Sequence, residues 1–184
     1  WRKQIDRLRQ QKACAVPAGL KATLRPYQKT GYEWMYKNSK LGFGSIIADD
    51  MGLGKTGQVI ALLLRLRDDK AVGSEAPALV VVPTAVLYNW MEELSRFAPK
   101  LKASLYHGAG RQWPEGCEVI VSSYGMVRSD IAALKKKKLG AIVIDEAQNI
   151  KNAGTEQSKA VKAMKAPVRI AMSGTPVENR LGEY

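Results

Sequence analysis

Histidine is almost missing from this chain, with one residue in 184, and cysteine is scarce, with two. A zinc centre or a disulfide framework needs several such residues at set spacings. Cys14 and Cys117 stand alone, and His107 has no second ligand beside it. Both are excluded, and the two thiols are expected to be ordinary thiols in a reducing compartment. No stretch approaches the ~20 apolar residues of a membrane span. Trp1 to Lys12 is charged and lacks the apolar centre of a signal peptide. An intracellular protein is expected, in cytoplasm or nucleoid if prokaryotic and in the nucleus if eukaryotic. With Trp1 first and an abrupt end at Tyr184, the chain is expected to be a fragment. No internal repeat is visible.

Acids are also few. Seventeen Asp and Glu face 29 Lys and Arg, for a formal net charge of +12 and a sequence pI of about 9.8. Such an excess favours a polyanionic partner, nucleic acid being the commonest. Apolar residues make up 46% of the chain, which places it among globular rather than disordered proteins. Its length fits one domain with a sizeable core.

The apolar residues come in two kinds of run. Gly44–Ala48, Ala78–Val82, Glu118–Val121, Ala141–Ile144 and Val168–Met172 are short and nearly continuous, and Lys102–Tyr106 is a weaker sixth. Short runs of this kind suit strands covered on both faces. Between them lie stretches with helical spacing. Tyr27, Gly31, Trp34 and Met35 follow Pro26, a favoured first-turn residue. Ile60, Leu63 and Leu64 mark a second helix, from Gln58 to Arg67. Val86, Leu87, Trp90, Leu94 and Phe97 form a third stripe ended by Pro99, with Trp90 expected in the core. Further helices are expected over Met126–Lys137 and Thr155–Lys165. Residues 1–19 read as a basic extension broken at Pro17 and Gly19, and 20–184 as the domain. Strands alternating with helices imply right-handed crossovers and a mostly parallel α/β sheet with helices on both faces.

One strand-to-helix junction carries chemistry. Asp49-Asp50-Met51-Gly52-Leu53-Gly54-Lys55-Thr56 joins the first strand to the second helix. Gly52 and Gly54 let the backbone curl so that its N–H groups converge, and the following helix adds the positive end of its dipole. Lys55 can reach the β- and γ-phosphates, and Thr56 can place a hydroxyl on Mg²⁺. Asp49 stands where the usual GxxxxGK[ST] pattern has its first glycine. The plain alternative is a glycine turn with a surface lysine. A second junction, Ile142-Val143-Ile144-Asp145-Glu146-Ala147-Gln148, delivers two acids to the carboxyl edge of the sheet, where open α/β sheets bind ligands. There Asp145 would help hold Mg²⁺, and Glu146 would orient and deprotonate a water. The alternative is a pair of acids at a helix N-terminus.

Five motifs then occur in order: Leu24-Arg25-Pro26-Tyr27-Gln28, DDMGLGKT, VVVPTAVLYNW from Val80 to Trp90, DEAQNIKN from Asp145 to Asn152, and SGTPVENR from Ser173 to Arg180. Together they resemble the amino-terminal motor lobe of Swi/Snf-type DNA translocases in helicase superfamily 2, over 20–184. The resemblance implies a RecA-like P-loop NTPase lobe that uses ATP and Mg²⁺ on double-stranded DNA. It implies nucleotide binding by Gln28, which would read the adenine edge, and by Asp50, Met51, Gly52, Leu53, Gly54, Lys55 and Thr56. Lys55, Asp145 and Glu146 would be catalytic, with Thr56 and Asp145 on the metal. Gln148, Ser173, Gly174 and Thr175 would couple nucleotide state to DNA. Thr84, His107, Gly108, Ser122, Ser123 and Tyr124 fall where such lobes touch the DNA backbone, a contact that positions without reading sequence. Asp50 replaces a more usual Glu. The motifs of a second RecA-like lobe, including its arginine finger, are absent from these residues. The competing readings are a lobe of a strand-separating helicase and a non-enzymatic nucleic-acid-binding module with a vestigial pocket. The run Lys135–Lys138 reads most simply as a solvated helix end, with a DNA-facing patch as the alternative.

Overall fold

Each short apolar run becomes a strand, because such a run buries all its side chains only between two covered faces. The computed structural model describes residues 14–48 and 54–174, together with Lys3, Asp6 and Gln10, which are helical. The strands are β1 Ser45–Ile47, β2 Ala78–Val82, β3 Ala103–Tyr106, β4 Val119–Ser123, β5 Ala141–Ile144 and β6 Val168–Met172. They form one six-stranded sheet in the order β1-β6-β5-β2-β4-β3, and every pair is parallel. The helices are α1 Pro26–Lys40, α2 Lys55–Asp68, α3 Leu87–Phe97, α4 Tyr124–Leu134 and α5 Glu156–Ala163. Single 3-10 turns occupy Thr84–Val86 and Ala147–Ile150. The parallel α/β sheet expected from the sequence is the fold observed.

Alternate residues of β2 point to opposite sides. Ala78, Val80 and Val82 join a core with residues of α1, α2 and α3, while Leu79 and Val81 join another with residues of α4 and α5. Every residue of β2, β4 and β5 is buried. Because the strands are parallel, all six carboxyl ends lie along one edge. The ladders run one residue past two of them: Asp145 N–H donates to Val81 O at 2.8 Å, and Ser173 N–H to Ile47 O at 2.9 Å. That fixes the first residue after β5 and after β6 relative to the sheet.

Several expectations need correction. The apolar spacing on α1 holds at one position only: Met35 is buried as expected, with Tyr32 and Asn38, but Tyr27 and Trp34 are 41% and 47% exposed. Tyr32 is buried because its hydroxyl has partners there, donating to Ala15 O at 3.0 Å beside Cys14 Sγ at 3.3 Å. Cys14 lies in the core, so the packed unit includes residues upstream of the expected boundary at 20. α2 buries more than the stripe at Ile60, Leu63 and Leu64, since Gln58, Val59, Ala61, Leu62 and Leu66 are buried too. It lies against the sheet with α1 on one side and α3 on the other. α4 begins two residues earlier than expected and ends at Leu134, with non-helical angles at Asp130.

Candidate functional site

Gly54 adopts φ +72, ψ 37 and caps the N-terminus of α2. That left-handed conformation is open to glycine without the penalty a Cβ carries. A Cβ there would also lie 2.1 Å from Gln28 Nε2, so the glycine lets α1 and the start of α2 touch. α2 opens at Lys55, which puts the positive end of its dipole beside Lys55 and Thr56. Asp49, Asp50, Met51, Gly52, Leu53 and Thr175 lie outside the described residues.

Asp145 and Glu146 follow β5, next in the sheet to β6, which pairs with β1. The sheet therefore brings them to the phosphate loop across 90 residues of sequence. Gln28, Gly54, Lys55, Thr56, Asp145 and Glu146 line one cleft of about 510 Å³, with Arg25 and Glu93 also on its walls. A smaller cavity of about 390 Å³ lies elsewhere, floored by Ile46, Ile144, Ile150 and Ile170. It is mainly apolar and holds none of the acids or phosphate-loop residues.

Both oxygens of Asp145 are held. Oδ1 accepts from Glu146 N–H at 2.8 Å, and Oδ2 from Trp90 Nε1–H at 2.8 Å. Burial pushes the Asp145 carboxyl above its ordinary range, against the indole N–H, the Glu146 N–H and the Lys55 charge, which favour the anion. Burial likewise raises Glu93, which lines the cleft with Thr56. Glu146 sits at φ 51, ψ 52, a strained conformation for a residue with a side chain. Its carboxylate accepts from Gln148 Nε2. Gln148 Oε1 in turn accepts from Ser173 Oγ at 3.0 Å. A continuous polar chain thus runs from Glu146 to the end of β6. Gln28 lines the cleft and also stabilises its own helix, its Oε1 accepting from Arg25 N–H at 2.8 Å, half of a capping box.

The expected DNA-contact residues divide. Thr84, after β2, is exposed, and His107 and Gly108, after β3, are half-buried. All three lie on the carboxyl edge. Ser122, Ser123 and Tyr124 differ: each is buried, and its hydroxyl is already bonded within the protein. Ser122 Oγ donates to Tyr106 O at 2.7 Å, and Ser123 Oγ caps α4 by accepting from Met126 N–H at 3.3 Å. The Tyr124 hydroxyl donates to Asp145 O. Tyr124 thus supports the peptide that carries both acids, and burial with those charges nearby drives its phenol upward. Lys135–Lys138 lie between the end of α4 and the start of β5, at the amino edge opposite the cleft. There Lys137 Nζ is 3.8 Å from Glu115 and 5.1 Å from the Trp113 ring centroid.

Trp90 and Glu93 were not legible in the sequence as parts of the site, and Tyr124 was expected there only as a DNA contact. Trp90 gave a signal, since a buried indole N–H usually finds a partner, but the spacing could not say which. Among the described residues no cluster of three or more His, Cys, Asp or Glu could hold a metal by itself.

Comparison with known proteins agrees with this geometry. The model of the SNF2-related domain matches residues 27–184. YwqA of Bacillus subtilis, which carries a provisional ATP-dependent helicase/translocase name, is 44% identical over 177 residues, covering 91% of this chain and 19% of that protein. Helicase SWR1 of Kluyveromyces lactis is 41% identical over 180 residues, covering 91% of this chain and 11% of that protein. The SWI2/SNF2 ATPase core of Sulfolobus solfataricus in complex with double-stranded DNA superposes with a TM-score of 0.86 at 43% identity, over 94% of this chain and 37% of that one. The chain thus spans a minor part of each of these relatives. With a six-stranded parallel sheet, a phosphate loop and an Asp-Glu pair meeting at one edge, it belongs to the SNF2-related domain family.

Proposed function

We propose that this chain is the ATP-binding lobe of a DNA-dependent ATPase that moves along double-stranded DNA and remodels protein–DNA complexes. The observation that carries the reading is the convergence of Lys55, Thr56, Asp145 and Glu146 on one cleft. Lys55 and the start of α2 bind the phosphates, and Gln28 meets the base. The Thr56 hydroxyl and Asp145 carboxylate are hard oxygen donors, and Mg²⁺ takes one or two carboxylates with substrate phosphates rather than an all-protein cage. When bound, Mg²⁺ supplies charge neutralisation on the phosphates. Glu146 orients and deprotonates the attacking water, and Gln148 ties its carboxylate to Ser173. The relatives' helicase names and the DNA complex of the Sulfolobus core support a nucleic-acid track, as does the net charge. Thr84, His107 and Gly108 are the positions proposed to meet its backbone, and a second RecA-like lobe of the same polypeptide would close the cleft.

The test is steady-state phosphate release by the full-length protein, with and without duplex DNA. Turnover is expected to rise with duplex. Glu146→Gln should abolish it while leaving binding of a fluorescent ATP analogue largely intact. Hydrolysis indifferent to DNA, or an active Glu146→Gln variant, would overturn the reading.

A further inference from the structure

We propose that Trp90 is a positioning residue for the metal-binding side of the nucleotide cleft. Its indole N–H locks the plane of the Asp145 carboxylate. This rests on the reading of Asp145 and Thr56 as the Mg²⁺ side of an ATP site. Trp90 lies 55 residues from Asp145 in sequence and is 1% exposed. Its ring belongs to the core between the sheet and α2 and α3, so it cannot turn without disturbing that packing. The N–H at its edge reaches Asp145 Oδ2 at 2.8 Å, while Oδ1 is taken by Glu146 N–H at 2.8 Å. A carboxylate with one donor can rotate about it. With a donor on each oxygen, its plane is set, and the remaining lone pairs face a fixed direction.

One turn beyond Trp90, Glu93 lines the same cleft as Thr56 and Asp145. The same helix therefore faces both residues proposed to hold the metal, although it contributes no residue to either motif. α3 is anchored at its start by the end of β2, the strand beside β5, so the indole and the carboxylate are placed by neighbouring strands of one sheet. Outer partners of this kind typically cost 10–100-fold in metal affinity or activity when removed.

The experiment measures binding of a fluorescent ATP analogue to the full-length protein across a Mg²⁺ series and in EDTA, alongside thermal melting. Trp90→Phe keeps much of the bulk without the N–H. Benzothienylalanine at position 90 keeps the bicyclic shape with sulfur in place of N–H, and so guards against a folding defect. Leu94→Ala, buried on the same helix and outside the cleft lining, controls for loosened packing. Both Trp90 replacements are expected to raise the half-saturating Mg²⁺ concentration by about 10-fold or more. Affinity in EDTA should be unchanged, and Leu94→Ala should leave the Mg²⁺ midpoint in place. In an Asp145→Asn background the Trp90 replacements should produce no further Mg²⁺ shift. A wild-type midpoint in the benzothienylalanine protein, or an equal shift in Leu94→Ala, would overturn the proposal and leave the ATPase reading intact. Wild-type binding that ignores Mg²⁺ would remove both.

Discussion

At the scale of single residues, the cleft depends on positions where a side chain is excluded or a backbone is held under strain. Gly54 combines a positive φ with a Cβ position 2.1 Å from Gln28 Nε2. Gly54→Ala is expected to cost about 1–2 kcal/mol for the left-handed backbone alone. The clash is with the far end of a flexible side chain, so Gln28 can move away, but only by giving up its bond from Arg25 N–H. Gln28→Ala should then cost less in the Gly54→Ala background than in the wild type, a non-additivity readable by denaturant unfolding of the four proteins. Equal costs would mean that the two residues do not meet. Glu146 shows the opposite case. Its positive φ is tolerated because the peptide around it is held by the Tyr124 hydroxyl, by the Asp145 carboxylate and by the ladder bond to Val81. The motif spelled out both acids, but gave no sign that Tyr124, placed among the DNA contacts, would hold them.

At the scale of elements, the loop after β3 is fixed to α4 by a polar clamp. Arg111 reaches Asp130 through Nε at 2.6 Å and Nη2 at 2.7 Å, and Tyr106 donates to the same carboxylate at 2.7 Å. Arg111 Nη1 donates to Gly108 O at 2.8 Å, so the clamp also sets the loop that carries His107 and Gly108. Asp130 is where α4 departs from helical angles. Arg111, and then Tyr106, hold its carboxyl below the usual range. A carboxyl depressed on folding contributes stability that is complete above its unfolded pKa of about 3.9 and is lost as pH falls through the lower folded value. The melting-temperature gap between wild type and Asp130→Asn should therefore be constant from neutral pH to about pH 4 and close in stronger acid. A gap that persists in strong acid would assign the effect to packing. Nucleotide affinity should be unchanged, because β3 lies at the far end of the sheet from β1. The sequence identified the strand, the loop and the helix, with ends off by a few residues. It did not give the clamp, which joins residues 19 positions apart through a kink that helical spacing does not predict.

At the scale of the whole molecule, the strand order sorts the two proposed activities. The phosphate loop, Asp145-Glu146 and Ser173 follow β1, β5 and β6, which are adjacent, whereas Thr84 and His107 follow β2 and β3 in the other half. With strands about 4.8 Å apart, the edge spans roughly 24 Å from β1 to β3. The residues proposed for the nucleotide and for DNA thus fall in different halves of one edge. The described residues of this chain line the cleft, and the Swi/Snf resemblance implies an arginine from a second lobe on its other side. Such an arginine contributes about 10³–10⁵ in rate, so the 184-residue chain alone is expected to bind ATP weakly and release phosphate far more slowly than a two-lobed protein. Equal rates in a side-by-side phosphate-release assay would show that this lobe needs no partner. The sequence by itself determined the alternation of strands and helices, the parallel sheet and the chemistry of the phosphate loop and acid pair. Those are local matters of apolar period, glycine placement and residue type. Only the tertiary structure decided which strands are neighbours, and hence that Asp145 meets Lys55 and that Lys135–Lys138 lie on the opposite edge. It also decided that Ser122, Ser123 and Tyr124 point inward and that Trp90 holds Asp145. Each of these depends on long-range packing between segments whose separation along the chain carries no information about their distance in space.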